Sequence, residues 1–270
     1  MKRRNFIQYS AASLLLSGCE VRYSPYAVDT DEPKRDADDI KRMPPKSADS
    51  SSYSIALLSD THRYYSEFKK VIQKIEQDST NYNFAIHGGD ITDAGLQAEF
   101  DFYHKMRSQT ALPFVHCIGN HDSLTNGIEV YRNSYGNYDR RFRVGALHII
   151  IFNNNTWEFG DKPVNLDWLE REVKAAKNII NTEGGHILVV NHIHHDSDER
   201  FSEEEIHRYR QMMIDNEVSL SINGHNHTHG VQVINGMKYL TIGSVGNLSF
   251  TKLTFTGPNP KDFTLDVIDV

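Results

Sequence analysis

Cysteine is nearly missing from this 270-residue chain, with Cys19 and Cys117 the only two. A fold stapled by several disulfides is excluded, as are metal sites built on clusters of thiolates. Proline is sparse too, and four of the 8, Pro25, Pro33, Pro44 and Pro45, fall before residue 46. The one apolar stretch near the N-terminus, Leu14-Leu15-Leu16 with Ala11 and Ala12 before it, is too short to cross a bilayer as a folded helix. Basic charge is not in excess, since 29 Lys and Arg face 36 Asp and Glu for a formal net charge of -7. That balance argues against stable nucleic-acid binding through a basic surface. A content of 39% hydrophobic and 24% charged residues excludes a collagen, a coiled coil and a wholly disordered chain. What the chain has in quantity is histidine, 14 residues, which points to metal or proton chemistry.

Lys2, Arg3 and Arg4 precede the short apolar run, the layout of a secretory signal over residues 1–18. Arg3-Arg4-Asn5-Phe6-Ile7 resembles a twin-arginine export signal, and Leu16-Ser17-Gly18-Cys19 resembles a bacterial lipobox. The expectation is an exported lipoprotein of the bacterial cell envelope, held to a membrane by lipid on Cys19. Loss of residues 1–18 removes three cations and no acid, taking the net charge to -10. Lipid, not charge, would then hold the protein at an anionic surface. Residues 19–52 read as the lipidated cysteine and a disordered tether, from their prolines, mixed charges and serine cluster, with a reach of roughly 30 Å. A single domain is expected over residues 53–270.

Within that domain short apolar runs alternate with amphipathic segments. Ile55-Ala56-Leu57-Leu58 reads as a strand buried on both faces, and Phe68, Val71, Ile72 and Ile75 form one helical stripe. Five runs end in metal-capable residues. They lead into Asp60-Thr61-His62, Gly89-Asp90-Ile91-Thr92-Asp93, Gly119-Asn120-His121-Asp122, Asn191-His192, and Gly224-His225-Asn226-His227. Strand ends of one sheet are neighbours in space, so loops leaving the same edge can converge. Carboxylate, imidazole and amide oxygen suit Mn, Fe or Zn, and no thiolate accompanies them. Asp60 and His62 are two apart, so at an extended strand end both project to the same side.

These five clusters, in this order and each behind a strand, resemble the motif series of the calcineurin-like metallophosphoesterases over residues 55 to about 230. The resemblance implies an αββα sandwich, two mixed β-sheets flanked by helices. It implies two divalent metal ions, one held by Asp60, His62, Asp90 and His227 and the other by Asp90, Asn120, His192 and His225, with Asp90 bridging. A metal-bridging hydroxide would attack a phosphomono- or phosphodiester, and His121 would protonate the leaving group, oriented by Asp122. The partner implied is a small-molecule phosphoester. The Gly-Asp-x-x-Asp motif, without a tyrosine at its fifth place, departs from the purple acid phosphatases and is closer to the cyclic-nucleotide-phosphodiesterase-like branch.

Other residues stand outside these assignments. His194 and His195 follow His192 closely and could replace it at the metal, line the site mouth or face solvent. Trp157, after Asn153-Asn154-Asn155, is either a substrate wall or loop packing. Asp93 is read as loop support and Cys117 as an inert core thiol, while Glu203-Glu204-Glu205 after Ser202 reads as a helix first turn. The alternative to an enzyme is a surface metal-binding or scaffolding lipoprotein that keeps the fold without turnover.

Overall fold

The structure, a computed structural model, describes residues 24–29, 34–44, 53–198 and 200–270. The expected signal peptide, the lipobox cysteine and part of the tether lie outside the described residues. No helix among those described is long and apolar enough to cross a membrane.

Period-two alternation in the strands builds two sheets. In β1 (Tyr53–Leu58), Ile55 and Leu57 face the second sheet, while Ala56 and Leu58 face helix α2 (Tyr65–Gln77). The first sheet adds β2 (Phe84–His87), β3 (Phe114–His116), β10 (Ser249–Phe255) and β11 (Phe263–Asp269), in the order β11-β10-β1-β2-β3. Strands β1, β2 and β3 are parallel, and β10 and β11 are antiparallel to their neighbours, so the sheet is mixed. The second sheet comprises β4 (Arg140–Val144), β5 (Leu147–Ile151), β6 (His186–Val190), β7 (Leu220–Asn223), β8 (Gly230–Ile234) and β9 (Met237–Thr241). Its order is β4-β5-β6-β7-β9-β8, with β5, β6, β7 and β9 parallel. Ile55, Leu57, Ile86 and Val115 meet Ile149, Leu188, Val190 and Ile222 between the sheets. Truncating one of these to alanine would cost about 2–5 kcal/mol.

Helices cover both outer faces. Phe68, Val71, Ile72 and Ile75 of α2, Phe100 and Tyr103 of α3 (Gln97–Arg107), and Val130 and Tyr131 of α4 (Gly127–Tyr135) pack on the first sheet. Leu169, Val173 and Ala176 of α5 (Leu166–Glu183), with Met212 and Met213 of α6 (Glu203–Asp215), pack on the second. The result is the αββα sandwich expected. Helix α6 starts where the acidic run begins: Ser202 Oγ accepts the Glu205 N–H at 3.3 Å and Glu205 Oε2 accepts the Ser202 N–H at 2.9 Å.

One expectation is corrected. The segment read as a disordered tether contains helix α1 (Arg35–Arg42), docked on the open edge of the first sheet beside β3. Asp39 Oδ2 accepts the Phe114 N–H at 2.8 Å, and Asp36 Oδ2 accepts the His116 N–H at 2.9 Å. Carboxylates three apart on a helix thus satisfy donors two apart on a strand, in place of a neighbouring strand. Each such N–H left unpaired in the interior would cost about 1–3 kcal/mol. Arg140 pairs with Asp36, and Arg42 and Arg107 pair with Asp39, compensating the buried charge. Residues 24–29 also touch the domain, where Asp29 N–H donates to Gln97 Oε1 at 3.0 Å.

Candidate metal centre

Register brings the strand ends together. Leu58 lies opposite His87 and His87 opposite His116, so the loops carrying Asp60, Asp90 and Asn120 leave one edge of the first sheet. Val190 lies opposite Ile222, which does the same for His192 and His225 in the second. A parallel bridge between Ser59 and Ser244 joins the two groups of loops.

The loops are tight. Asp60, His62, Asp90, His225 and His227 all have positive φ, between 42° and 70°. Non-glycine residues held there cost on the order of 1–3 kcal/mol each, and they persist where surrounding bonds over-determine them. Asp60 N–H donates to the Gly89 carbonyl at 3.0 Å and His62 N–H to the Asp90 carbonyl at 3.1 Å. The His225 N–H points at both Asp60 oxygens, 3.1 and 3.2 Å away, and Ser244 Oγ donates to the Asp60 carbonyl at 2.8 Å. Two glycines permit the approach: a Cβ on Gly89 would lie 2.8 Å from His192 Cγ, and one on Gly224 would lie 2.7 Å from Asp60 Oδ2.

All seven expected ligands come together. Asp60, His62 and His227 form one group of donor atoms and Asp90, His192 and His225 another, each within 4.8 Å. His62 Nε2 lies 3.2 Å from His227 Nε2, and His227 Nε2 lies 3.4 Å from Asp60 Oδ1. Asp90 Oδ2 is 3.1 Å from His192 Nε2 and 3.5 Å from His62 Nε2, so it stands between the groups. Asn120 Oδ1 meets His192 Nε2 at 3.1 Å and His225 Nδ1 at 3.0 Å. His194 and His195 stay outside both groups. His195 instead stacks on Tyr239, with ring centroids 4.1 Å apart.

The donors fit a pair of divalent cations. Asp60 and Asp90 are buried at 0% and 1% exposure, imidazole nitrogens converge around them, and among the described residues neither carboxylate pairs with a Lys or Arg. His192 Nδ1–H donates to the Gly88 carbonyl at 2.9 Å, leaving Nε2 to face Asp90 and Asn120. Burial raises Asp90, but His192 overcomes it and holds the carboxyl below its ordinary range. Burial likewise depresses His192, yet Asp90 lifts it to about 9. A proton on His192 Nε2 and a divalent cation therefore compete for one lone pair. Burial and the His192 charge push His225 down to about 4, and burial also lowers His62.

His121 lies beside the ligands without joining either group. Its Nδ1–H donates to the Asp93 carbonyl at 2.7 Å, and its ring meets His62 edge-on at 4.6 Å. The orienting role expected of Asp122 is corrected by this geometry. Asp122 is fully buried and spends its oxygens elsewhere: Oδ1 accepts the Thr92 N–H and hydroxyl, and Oδ2 the Gly119 N–H, each at 2.9 Å. It clamps the Asp90 loop to the Asn120 loop. Asp93, read as loop support, accepts the His121 Nδ1–H through its carbonyl and places Oδ1 3.6 Å from His62 Nδ1. Ser244 and Asn247, whose Nδ2 donates to the His227 carbonyl at 2.7 Å, gave no local signal because they lie beyond the last motif.

An αββα sandwich thus brings nitrogen and oxygen donors from its strand-end loops into two adjoining groups, each of which could hold a metal ion. The chain belongs to the calcineurin-like phosphoesterase family, whose sequence model matches residues 53–229. No curated protein matches the sequence. Among solved structures the fold is similar to a dimetal phosphatase from Danio rerio, at 11% identity and TM-score 0.59, covering 80% of this chain and 99% of that one. It is similar to GAP50, the anchor in the inner membrane complex of Plasmodium, at 18% identity and TM-score 0.58, covering 80% and 84%. The purple acid phosphatase PPD1 of yellow lupin, Lupinus luteus, aligns at 14% identity and TM-score 0.67, covering 84% of this chain and 53% of that one.

Proposed function

We propose that the protein is a dinuclear metal-dependent phosphoester hydrolase of the cyclic-nucleotide-phosphodiesterase-like branch. The observation that carries this reading is the position of Asp90 Oδ2, facing His192 of one donor group and His62 of the other. Two divalent ions of the Mn, Fe or Zn kind, when bound, supply Lewis acidity and an acidified water near neutral pH. Asp60, His62, Asp90 and His227 would hold one, and Asp90, Asn120, His192 and His225 the other. Four positive charges against two carboxylates give an attractive centre for phosphate in an otherwise acidic chain.

The chain's own residues supply the remaining chemistry. His121, with Nδ1–H committed to the Asp93 carbonyl, keeps Nε2 for a proton passed to the leaving oxygen, as general acid. Asp122 holds the loop under it. A non-catalytic metal-binding or scaffolding protein would need the ligands but has no use for His121 at this place, which favours the hydrolase. The test is a panel of mono- and diesters offered to protein reconstituted with Mn, Fe or Zn. Turnover of one class with metal and none with chelator is expected, and full metal loading without turnover of any ester would overturn the reading.

Export and a lipid anchor on Cys19 belong to the same proposal, supported by the lipobox-like Leu16-Ser17-Gly18-Cys19. Cys19→Ala should release the protein from membranes, and unchanged fractionation would remove the anchor.

A further inference from the structure

The run Asn153-Asn154-Asn155 leaves the end of β5 and is pinned to two of the loops of the second donor set, those of His192 and Asn120. Asn154 Nδ2 donates to the Ile193 carbonyl at 2.7 Å, and its Oδ1 accepts the Ile193 N–H at 3.0 Å. Ile193 is the neighbour of His192. On the other side Asn155 Nδ2 donates to the Ile118 carbonyl at 3.0 Å, two residues before Asn120. The next turn of chain, Trp157–Phe159, begins two residues after Asn155 and so follows directly from these bonds.

Trp157 opens that turn with 50% of its surface exposed, yet it is not free to rotate. The Arg200 guanidinium lies over its ring, 3.7 Å from the centroid. Arg200 is in turn gripped by Glu158, with Nη1 3.2 and 2.9 Å from the two carboxylate oxygens, and their side chains are only 8% and 11% exposed. One face of the indole is backed by a fixed, nearly buried ion pair, and exposed surface remains.

Two uses of this arrangement can be compared. Arg200 as a phosphate anchor is disfavoured, since Glu158 already neutralises it. An apolar ring locked beside a polar centre is instead suited to stacking a flat group, where little rotamer freedom is lost on binding. We infer that the exposed face of Trp157 is a subsite for the planar ring of a phosphoester, a nucleobase or an aryl group, placed beside the phosphoryl position. Arg200 and Glu158 are positioning residues that hold the indole. This rests on the hydrolase reading for the location of the phosphate, but the stacking itself can be read without turnover.

Trp157 and Trp168 are the only indoles. Trp168→Phe keeps a ring against Phe152 and leaves Trp157 as the sole tryptophan emitter. In that protein adenosine 5′-monophosphate and phenyl phosphate should quench emission saturably, and glycerol 3-phosphate should not. Equal response to all three, or none, would overturn the subsite. In the metal-loaded enzyme Trp157→Ala should raise KM for the ring-bearing esters about 5- to 150-fold more than for glycerol 3-phosphate, the equivalent of roughly 1–3 kcal/mol of stacking. Trp157→Phe should recover most of that difference. Identical KM changes for both kinds of ester would refute it. If no ester turns over with any metal, the hydrolase reading fails, and the emission titration still decides the subsite. A preference between the two ring-bearing ligands tells nucleobase from aryl.

Discussion

Asp90 and His192 face each other across 3.1 Å, carboxylate Oδ2 to imidazole Nε2, and both side chains are buried to within 1%. The same oxygen looks toward His62, while Asp90 Oδ1 accepts the His121 N–H at 2.8 Å. One carboxylate thus joins both donor groups and the segment that carries His121. Asp90→Asn keeps the shape and the Oδ1 acceptor but removes the charge and one cation-binding oxygen. Metal content after dialysis should fall from two equivalents to below one, with turnover lost. Retention of two equivalents by elemental analysis would show that Asp90 is not shared.

His121 and Asp122 separate into a chemical and a structural residue. His121→Ala should leave metal content and unfolding midpoint near wild type and lower kcat by about 10²- to 10⁴-fold. Asp122→Ala strands the Thr92 and Gly119 N–H groups and the Thr92 hydroxyl, each lost bond costing about 1–3 kcal/mol. Its unfolding midpoint should drop, and its metal content with it. An Asp122→Ala protein as stable as wild type, with only kcat reduced, would restore Asp122 to the role of orienting His121.

Helix α1 makes a separate claim about the N-terminal segment. Asp36 Oδ1 accepts from His116 Nδ1 at 2.6 Å, Tyr103 donates its hydroxyl to His116 Nε2 at 2.9 Å, and Arg140 pairs with Asp36 from the other side. His116 stacks in turn near His87, whose Nε2 lies 2.8 Å from the Thr61 hydroxyl, between Asp60 and His62. Asp36→Ala leaves Arg140 and the His116 N–H without their buried acceptor. The loss should be about 3–5 kcal/mol in urea unfolding. A loss under 1 kcal/mol would return the segment to a loosely held tether.

The parts of the fold legible beforehand are those with a local period. The run Ile55–Leu58 shows as a strand because buried parallel strands are apolar throughout, and the α2 stripe shows because its spacing is 3.6. The donors were legible for a related reason: each follows a strand end within a few residues. Helix α1 was missed because what holds it is charge paired across distance, Asp39 to Phe114 and Asp36 to Arg140, and such pairs leave no period. The composition around it, with four prolines and mixed charges, reads as solvated chain. Asp122 was misread for the same reason, its partners Thr92 and Gly119 being fixed by how two loops cross.

His148 on β5 supplies a pH dependence away from the metal centre. It is 1% exposed, neither ring nitrogen has a hydrogen-bond partner among the described residues, and Arg143 lies opposite it on β4. Burial, with the charges of Arg143 and Arg141, pushes it down to about 4. Above pH 6.5 His148 is neutral in both folded and unfolded chains, so its contribution to stability is intact. As pH falls below 6.5 the unfolded chain takes up a proton that the folded chain refuses, and stability declines until about pH 4. Between pH 7.5 and 5.0 the loss amounts to about 2 kcal/mol. Asp36, raised to about 7 by burial against the pull of Arg140, has the opposite sign, so total stability does not isolate His148. Comparison with His148→Leu does, because Asp36 is common to both proteins. With chelator present throughout to remove metal effects, the wild type should lose about 2 kcal/mol more than His148→Leu over that interval. Parallel losses in the two proteins would mean that His148 accepts its proton in the folded state.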